Sequence, residues 1–302
     1  MPSYDKPILL LIFNRPATTA RVFAALKELR PSKLYVAGDG PRPNTNDATL
    51  CQEARDLIQV DWPCELKTLY RTENIGCRHA VAEAISWVFK TEEQAVILED
   101  DCLPHPSFFT YTSDLLDYYQ DNEQVMHIGG NFFQPQAIGD GSYYFSHIPH
   151  IWGWATWRRA WARYDLAMSD WPSNKHLVNQ ITRNWYQRQK WTYILDKIYQ
   201  DRRHAWDYQW LYCLLKNDGL AVTPNVNLVS NIGFMSGALH DASPDSKFAN
   251  LAVSAAPGHL VHPRSLTVSQ SADLFTSQNN FQFNPFKVII RNLLVRFRLI
   301  NL

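Results

Sequence analysis

The 302-residue sequence predicts an α/β protein built on a mostly parallel sheet flanked by helices. Three observations predict it. Strand-like and helix-like segments alternate through residues 1–130, the pattern of strands joined by crossover helices. Several strands read as continuous apolar runs, as expected where both faces are buried. Polar clusters stand at the predicted carboxyl ends of those strands, where open sheets of this kind bind ligands.

The elements follow in order. Residues 7–13 form an unbroken apolar run and predict a buried strand ending in Asn14-Arg15. Residues 18–29 predict a helix, with Val22, Leu26 and Leu29 on one face. Residues 33–37 predict a second strand, closed by the turn residues Gly38-Asp39-Gly40-Pro41. A helix over 48–59 leads to a strand over 65–70. A helix over 76–89 turns Val81, Ile85, Val88 and Phe89 inward. Residues 95–98 predict a fourth strand, running straight into Glu99-Asp100-Asp101. A helix over 106–119 and a strand over 125–128 complete the alternating part. Residues 151–215 are rich in Trp and Tyr and read as largely helical. Strand-like alternation returns over 219–232, and 236–284 read as mostly loop.

Composition narrows the function classes. Lys plus Arg total 29 and Asp plus Glu total 29. No global field draws a nucleic acid, so none is expected as a partner, and an anionic ligand must be held locally. Five cysteines, at 51, 64, 77, 102 and 213, include no C-x-x-C pair, which fits a reducing compartment better than a disulfide framework or a zinc site. The apolar run near the N-terminus is too short to span a bilayer and has no signal-peptide pattern. The expected location is cytoplasmic. There is no dinucleotide-binding glycine motif, no P-loop and no nucleophile elbow.

The tripeptide Glu99-Asp100-Asp101 carries the most chemistry. Three carboxylates at the end of a buried strand are costly unless a cation or water neutralises them. Mg²⁺ and Mn²⁺ take carboxylate oxygen and share their remaining positions with phosphate. Read alone, the tripeptide is a metal-bridged nucleotide-diphosphate site or a solvated acidic turn. Asn14, Arg15 and Asp39 fall on the same predicted rim and favour a ligand site.

The strand-plus-acid element VILEDDCLPHPSFF resembles the acidic D-x-D-type motif of GT-A fold glycosyltransferases, nearest to the branch of N-acetylglucosaminyltransferase I, where the motif reads Glu-Asp-Asp. PILLLIFNRP, VAGDGPR, NIGCRHAVAEAI, WGWATWRRAW, AWDYQW and NIGFMSGALH resemble further blocks of that branch and its bacterial members. The resemblance spans roughly residues 7–240. It implies a nucleotide-sugar-binding half over 1–130 and an acceptor-binding and catalytic half of the same domain over 131–284. It also implies Asp101 as the direct ligand of Mn²⁺ or Mg²⁺, with Glu99 and Asp100 orienting the sugar and ribose side, and Asp39 meeting base or ribose.

Most of the other positions carry two readings. Asp207, among aromatics at a helix start, is a general base for the acceptor hydroxyl or a helix cap. His240, in a glycine-containing loop, is implied by the resemblance to approach the metal or the diphosphate; read alone it is a surface histidine. The segment Met235-Ser236-Gly237-Ala238 departs from the Gly-x-Asp-Ala-Thr-His pattern of bacterial relatives. Arg15 touches the diphosphate or base, or caps the next helix. Arg78, at a helix N-terminal turn, sits where anions bind. Trp152 and Trp154 line the acceptor site or fill the core. Residues 285–302 are basic and apolar. They form an amphipathic helix at a membrane interface, or one packed on protein.

The expected activity is inverting, metal-dependent transfer from a nucleotide-sugar, most simply a UDP-sugar. The acceptor is a glycan or a lipid-linked sugar of surface polysaccharide assembly. The alternatives are a nucleotidyltransferase or nucleotide-sugar hydrolase using the same metal site, and a non-catalytic carbohydrate-binding protein.

Overall fold

The computed structural model describes residues 4–200, 205–234 and 246–281. Among them, β1 (Ile8–Ile12), β2 (Lys33–Gly38), β3 (Glu65–Tyr70) and β4 (Gln94–Glu99) form an all-parallel half-sheet in the order β3-β2-β1-β4. Their connections are α1 (Pro16–Leu29), α2 (Asp47–Asp56) and α3 (Cys77–Val88). The predicted helix over 48–59 is shorter, and the other boundaries of this half agree to within a residue or two.

The pleat explains the layers. In β1, Ile8, Leu10 and Ile12 join a core with Val22, Leu26, Phe108 and Leu115, the last two on α4 (Ser107–Tyr118). Leu9 and Leu11 point the other way, onto Val81, Ile85 and Val88 of α3. All five β1 residues are buried, which is why the run shows no polar alternation. Truncating a side chain such as Leu10 to Ala costs about 2–5 kcal/mol.

The second half of the chain extends the same sheet. After β5 (Cys102–Pro104) and β6 (Val125–Gly129) come β7 (Tyr143–Ser146) and β8 (Trp154–Trp157). Later come α5 (Arg158–Trp161), α6 (Val178–Ile181), α7 (Trp185–Tyr199), α8 (Asp207–Lys216), β9 (Leu220–Pro224), β10 (Val229–Asn231) and α9 (Gln270–Asn279). The eight-stranded order is β3-β2-β1-β4-β8-β6-β9-β7, with β8 antiparallel to both neighbours and β7 antiparallel to β9. The sheet is therefore parallel through its first half and mixed beyond β4.

Two expectations are corrected here. The Trp-rich block contains a central strand, β8, not only helix. Its residues 154–157 are all buried, and a strand buried on both faces lacks the period-2 signal. The segment over 236–284 contains α9, whose Ser269 caps it by accepting from the Ala272 amide. α9 buries small and polar residues, Ala272, Asp273, Thr276 and Ser277, so its helical stripe is faint in the sequence. All five cysteines are free. No helix among the described residues is long and apolar enough to cross a membrane.

The second sheet positions the site. β5 pairs antiparallel with β10, Cys102 opposite Asn231. Glu99 ends the large sheet and Cys102 begins the small one, so Asp100 and Asp101 form the joint between them.

Candidate nucleotide and metal site

The acidic joint is held by backbone bonds from both sides. Glu99 sits opposite Leu11 in the β1–β4 ladder. The Phe13 amide, one residue past β1, donates to Asp100 Oδ2 at 3.0 Å. The Ile232 amide donates to the Asp101 carbonyl at 2.8 Å. Gly233 lies against the Asp101 carboxylate so closely that an added Cβ would stand 2.1 Å from Oδ2. Only glycine permits that approach.

Among the described residues, Arg15 meets two of the three acids. Arg15 Nη1 donates to Asp101 Oδ2 at 2.5 Å and lies 3.9 Å from Asp100 Oδ1. Asp100 is only 7% exposed, and burial, then the Asp101 charge, push its carboxyl well above the ordinary range, against the pull of Arg15. Glu99 is pushed up the same way, by burial and then by Asp101, Asp100 and Asp207. Burial disfavours the charged form, and like charges add to that. Ionising all three carboxyls would therefore place more negative charge at the joint than Arg15 offsets.

Asp207 acts on Glu99 from a distant part of the chain. It is the first residue of α8, where the helix dipole favours a carboxylate. Trp206 occupies the cap position instead, so the simple cap reading of Asp207 does not apply. Cys77, the first residue of α3, marks the same convergence. Its thiol is pushed up to about 12 by the surrounding protein and then by Glu99, Asp207 and Asp39, with Arg15 opposing. Arg78, next on α3, donates to the Leu166 carbonyl at 2.9 Å. Tyr164 feels Asp207 and Arg78 together, although burial is the main cause of its raised pKa.

Two expected rim residues are tied into the scaffold. Asp39 accepts from the amides of Gly40 at 2.8 Å, Ile75 at 3.1 Å and Gly76 at 2.9 Å. It straps the loop before α3 to the end of β2. Asn14 donates to Asp47 Oδ1 at 2.6 Å. Asp47 also takes Arg42 Nε at 2.5 Å and Nη2 at 3.1 Å, and the Arg42 guanidinium lies over the Phe13 ring. Sequence reading missed Asp47, Arg42, Cys77 and the close approach of Gly233. Arg42 follows the Gly-Asp-Gly-Pro turn directly, the one signal that marked it.

The two tryptophans separate. Trp154 is fully buried, packed with His127, Trp161, Trp206 and Trp210. It presents no face to a sugar, which corrects its expected place in an acceptor pocket. Trp152 is half-buried, edge-on to Phe133 and Phe234, with Phe248 beyond. Phe234 follows Gly233, so this aromatic cluster adjoins the acidic joint. His240 and residues 285–302 lie outside the described residues.

The carboxylates present fit a hard divalent cation by donor type. No three His, Cys, Asp or Glu side chains among the described residues converge as a cage.

No family model matches the chain, and no curated protein matches it, so neither supports the N-acetylglucosaminyltransferase I branch. Solved structures give distant likenesses. One is a UDP-glucose pyrophosphorylase complexed with UDP-glucose, at 10% identity over 52% of this chain and 78% of that chain, TM-score 0.30. Another is 4-diphosphocytidyl-2C-methyl-D-erythritol synthase from Anaerococcus prevotii, at 8% identity over 54% and 76%, TM-score 0.34. A third is a cytidylyltransferase from Leptospira borgpetersenii, at 11% identity over 66% and 72%, TM-score 0.33. Likenesses this distant carry no argument about activity. The α/β class rests on the sheet and its flanking helices.

Proposed function

We propose that this protein is an inverting, metal-dependent glycosyltransferase that uses a nucleotide-sugar, most simply a UDP-sugar. One observation carries the reading. Glu99, Asp100 and Asp101 stand together at the carboxyl end of the parallel strand β4, and Arg15 meets Asp101 and Asp100 there.

In this reading Asp101 holds Mn²⁺ or Mg²⁺, and His240 is a further candidate ligand. A bound ion would supply Lewis-acid stabilisation of charge on the departing diphosphate. Arg15 and Arg78 add positive charge for the phosphates. Glu99 and Asp100 orient the donor sugar, with Asn14 and Asp39 bracing the nucleotide side. Asp207 takes the proton from the acceptor hydroxyl. The hydroxyl oxygen bonds to the anomeric carbon as the bond to the diphosphate oxygen breaks, and the configuration inverts. Trp152 stacks on the acceptor, a glycan or lipid-linked sugar. Residues 285–302 would bring the enzyme to a membrane surface carrying such an acceptor.

The β1–α1 connection argues against a nucleotidyltransferase. Only residues 13–15 separate Ile12 from Pro16, and none is glycine, so a glycine-rich phosphate loop has no room there. The deciding experiment incubates the protein with Mn²⁺ and a panel of nucleotide-sugars, scored by thermal stabilisation and then by transfer to glycan acceptors. Parallel reactions with nucleoside triphosphate and sugar 1-phosphate test the alternative. Transfer with inversion, lost in Asp207→Asn, supports the proposal. Nucleotide-sugar synthesis without transfer overturns it.

A further inference from the structure

We infer that Arg15 is a built-in counter-cation of the acidic joint, which occupies Asp101 until a divalent cation arrives with a nucleoside diphosphate. The inference rests on the metal and nucleotide reading above and adds a coupling between the two ligands.

The geometry fixes which partner moves. Asp101 is pinned by the Ile232 amide on its carbonyl and by Gly233 against its carboxylate. Its side chain is 13% exposed, against 29% for Arg15. The Arg15 main chain is also fixed. Its carbonyl accepts from the Thr19 amide at 3.0 Å and from Thr19 Oγ1 at 2.8 Å. That leaves the long Arg15 side chain as the mobile part. A divalent ion reaching Asp101 Oδ2 meets the guanidinium on the same oxygen, 2.5 Å away, and the two cations repel. The released guanidinium is a fork suited to phosphate oxygens. A diphosphate therefore gives Arg15 a new partner at the moment the ion takes its old one. Neither ligand alone offers both halves of that exchange, so the two bind with positive coupling, which by linkage is reciprocal.

The test reads the free Mn²⁺ signal by electron paramagnetic resonance, with and without UDP. It compares wild type, Arg15→Gln, Arg15→Met and Arg15→Lys. Near-UV circular dichroism confirms folding, and the two uncharged variants back each other up should one fail to fold. Wild type is expected to bind Mn²⁺ at least about tenfold more tightly with UDP than without. The uncharged variants are expected to bind Mn²⁺ alone at least about fivefold more tightly than wild type, with a correspondingly smaller gain from UDP. Arg15→Lys keeps a charge beside Asp101, so it is expected to bind Mn²⁺ alone about as wild type does, while its gain from UDP falls because an ammonium lacks the fork for phosphate oxygens. If wild type binds Mn²⁺ with UDP but the uncharged variants bind Mn²⁺ alone no better, the counter-cation role is wrong and the metal site stands. If wild type binds no Mn²⁺ under either condition, both readings fall together.

Discussion

Asp47 and Asp100 are both buried aspartates in the first half of the chain, 1% and 7% exposed, yet their surroundings push them in opposite directions. Asp47 takes two side-chain bonds from Arg42 and one from Asn14, and the bonds from Arg42 hold its carboxyl well below the ordinary range. Asp100 has one backbone amide and a distant share of Arg15, and burial drives its carboxyl up. The first is a structural carboxylate whose charge is satisfied within the protein. The second belongs to a cluster whose charge is not. Perturbed groups of the second kind gather at functional sites, and the contrast separates strut from site within one rim.

The largest effects should break the site and spare the struts. Asp101→Asn is expected to lower transferase activity at least about 10²-fold through lost stabilisation of the leaving group, and to abolish the Mn²⁺ dependence of UDP binding. Asp207→Asn is expected to lower kcat by about 10²–10⁴-fold while UDP and Mn²⁺ affinities, measured by calorimetry, stay within twofold of wild type as a rough bound. A large loss of nucleotide affinity in Asp207→Asn would instead make Asp207 a donor-binding group.

The struts should show the reverse. Trp154→Ala empties the centre of a tryptophan cluster and is expected to cost about 3–5 kcal/mol of stability by denaturant unfolding. Trp152→Ala is expected to cost far less stability and to raise KM for the acceptor. Asp47→Ala is expected to cost about 1.5–3 kcal/mol through lost charge-assisted bonds, with Mn²⁺ affinity unchanged. Equal stability losses at the two tryptophans would erase the distinction between core and pocket.

The smallest effect is in pH. A carboxyl raised in the folded state adds stability that is full below its unfolded value and is lost as pH rises through its folded value. For Glu99 and Asp100 the metal-free protein should therefore lose melting temperature between about pH 5 and 8, a slope that Asp100→Asn flattens. Asp47 works in the opposite window, with stability present above the ordinary carboxylate range and lost as acid titrates it. A melting temperature flat from pH 5 to 8, insensitive to Asp100→Asn, would contradict the excess-charge picture of the joint.

The first half of the fold was legible because its strands are buried on both faces and its helices carry strong stripes. Apolar runs such as Ile8–Ile12 admit few other readings. The second half was harder. β8 hides in a block of large aromatics, α9 buries small and polar side chains, and the pairing of β5 with β10 joins segments far apart in the chain. The acidic tripeptide was visible as chemistry, and its neighbours Arg15 and Asp207 were named from motif order. Local sequence did not reveal that Asn14 and Asp39 spend their side chains on the scaffold, or that Gly233 presses on Asp101. Those facts depend on what each side chain meets across the fold.

Calorimetric titration of UDP into wild type and Asp101→Asn, each with and without Mn²⁺, tests the central claim most directly. The account predicts UDP binding to wild type that is strongly enhanced by Mn²⁺, and an enhancement lost in Asp101→Asn. UDP affinity that is the same with and without Mn²⁺ in wild type, or an enhancement that survives in Asp101→Asn, would contradict it.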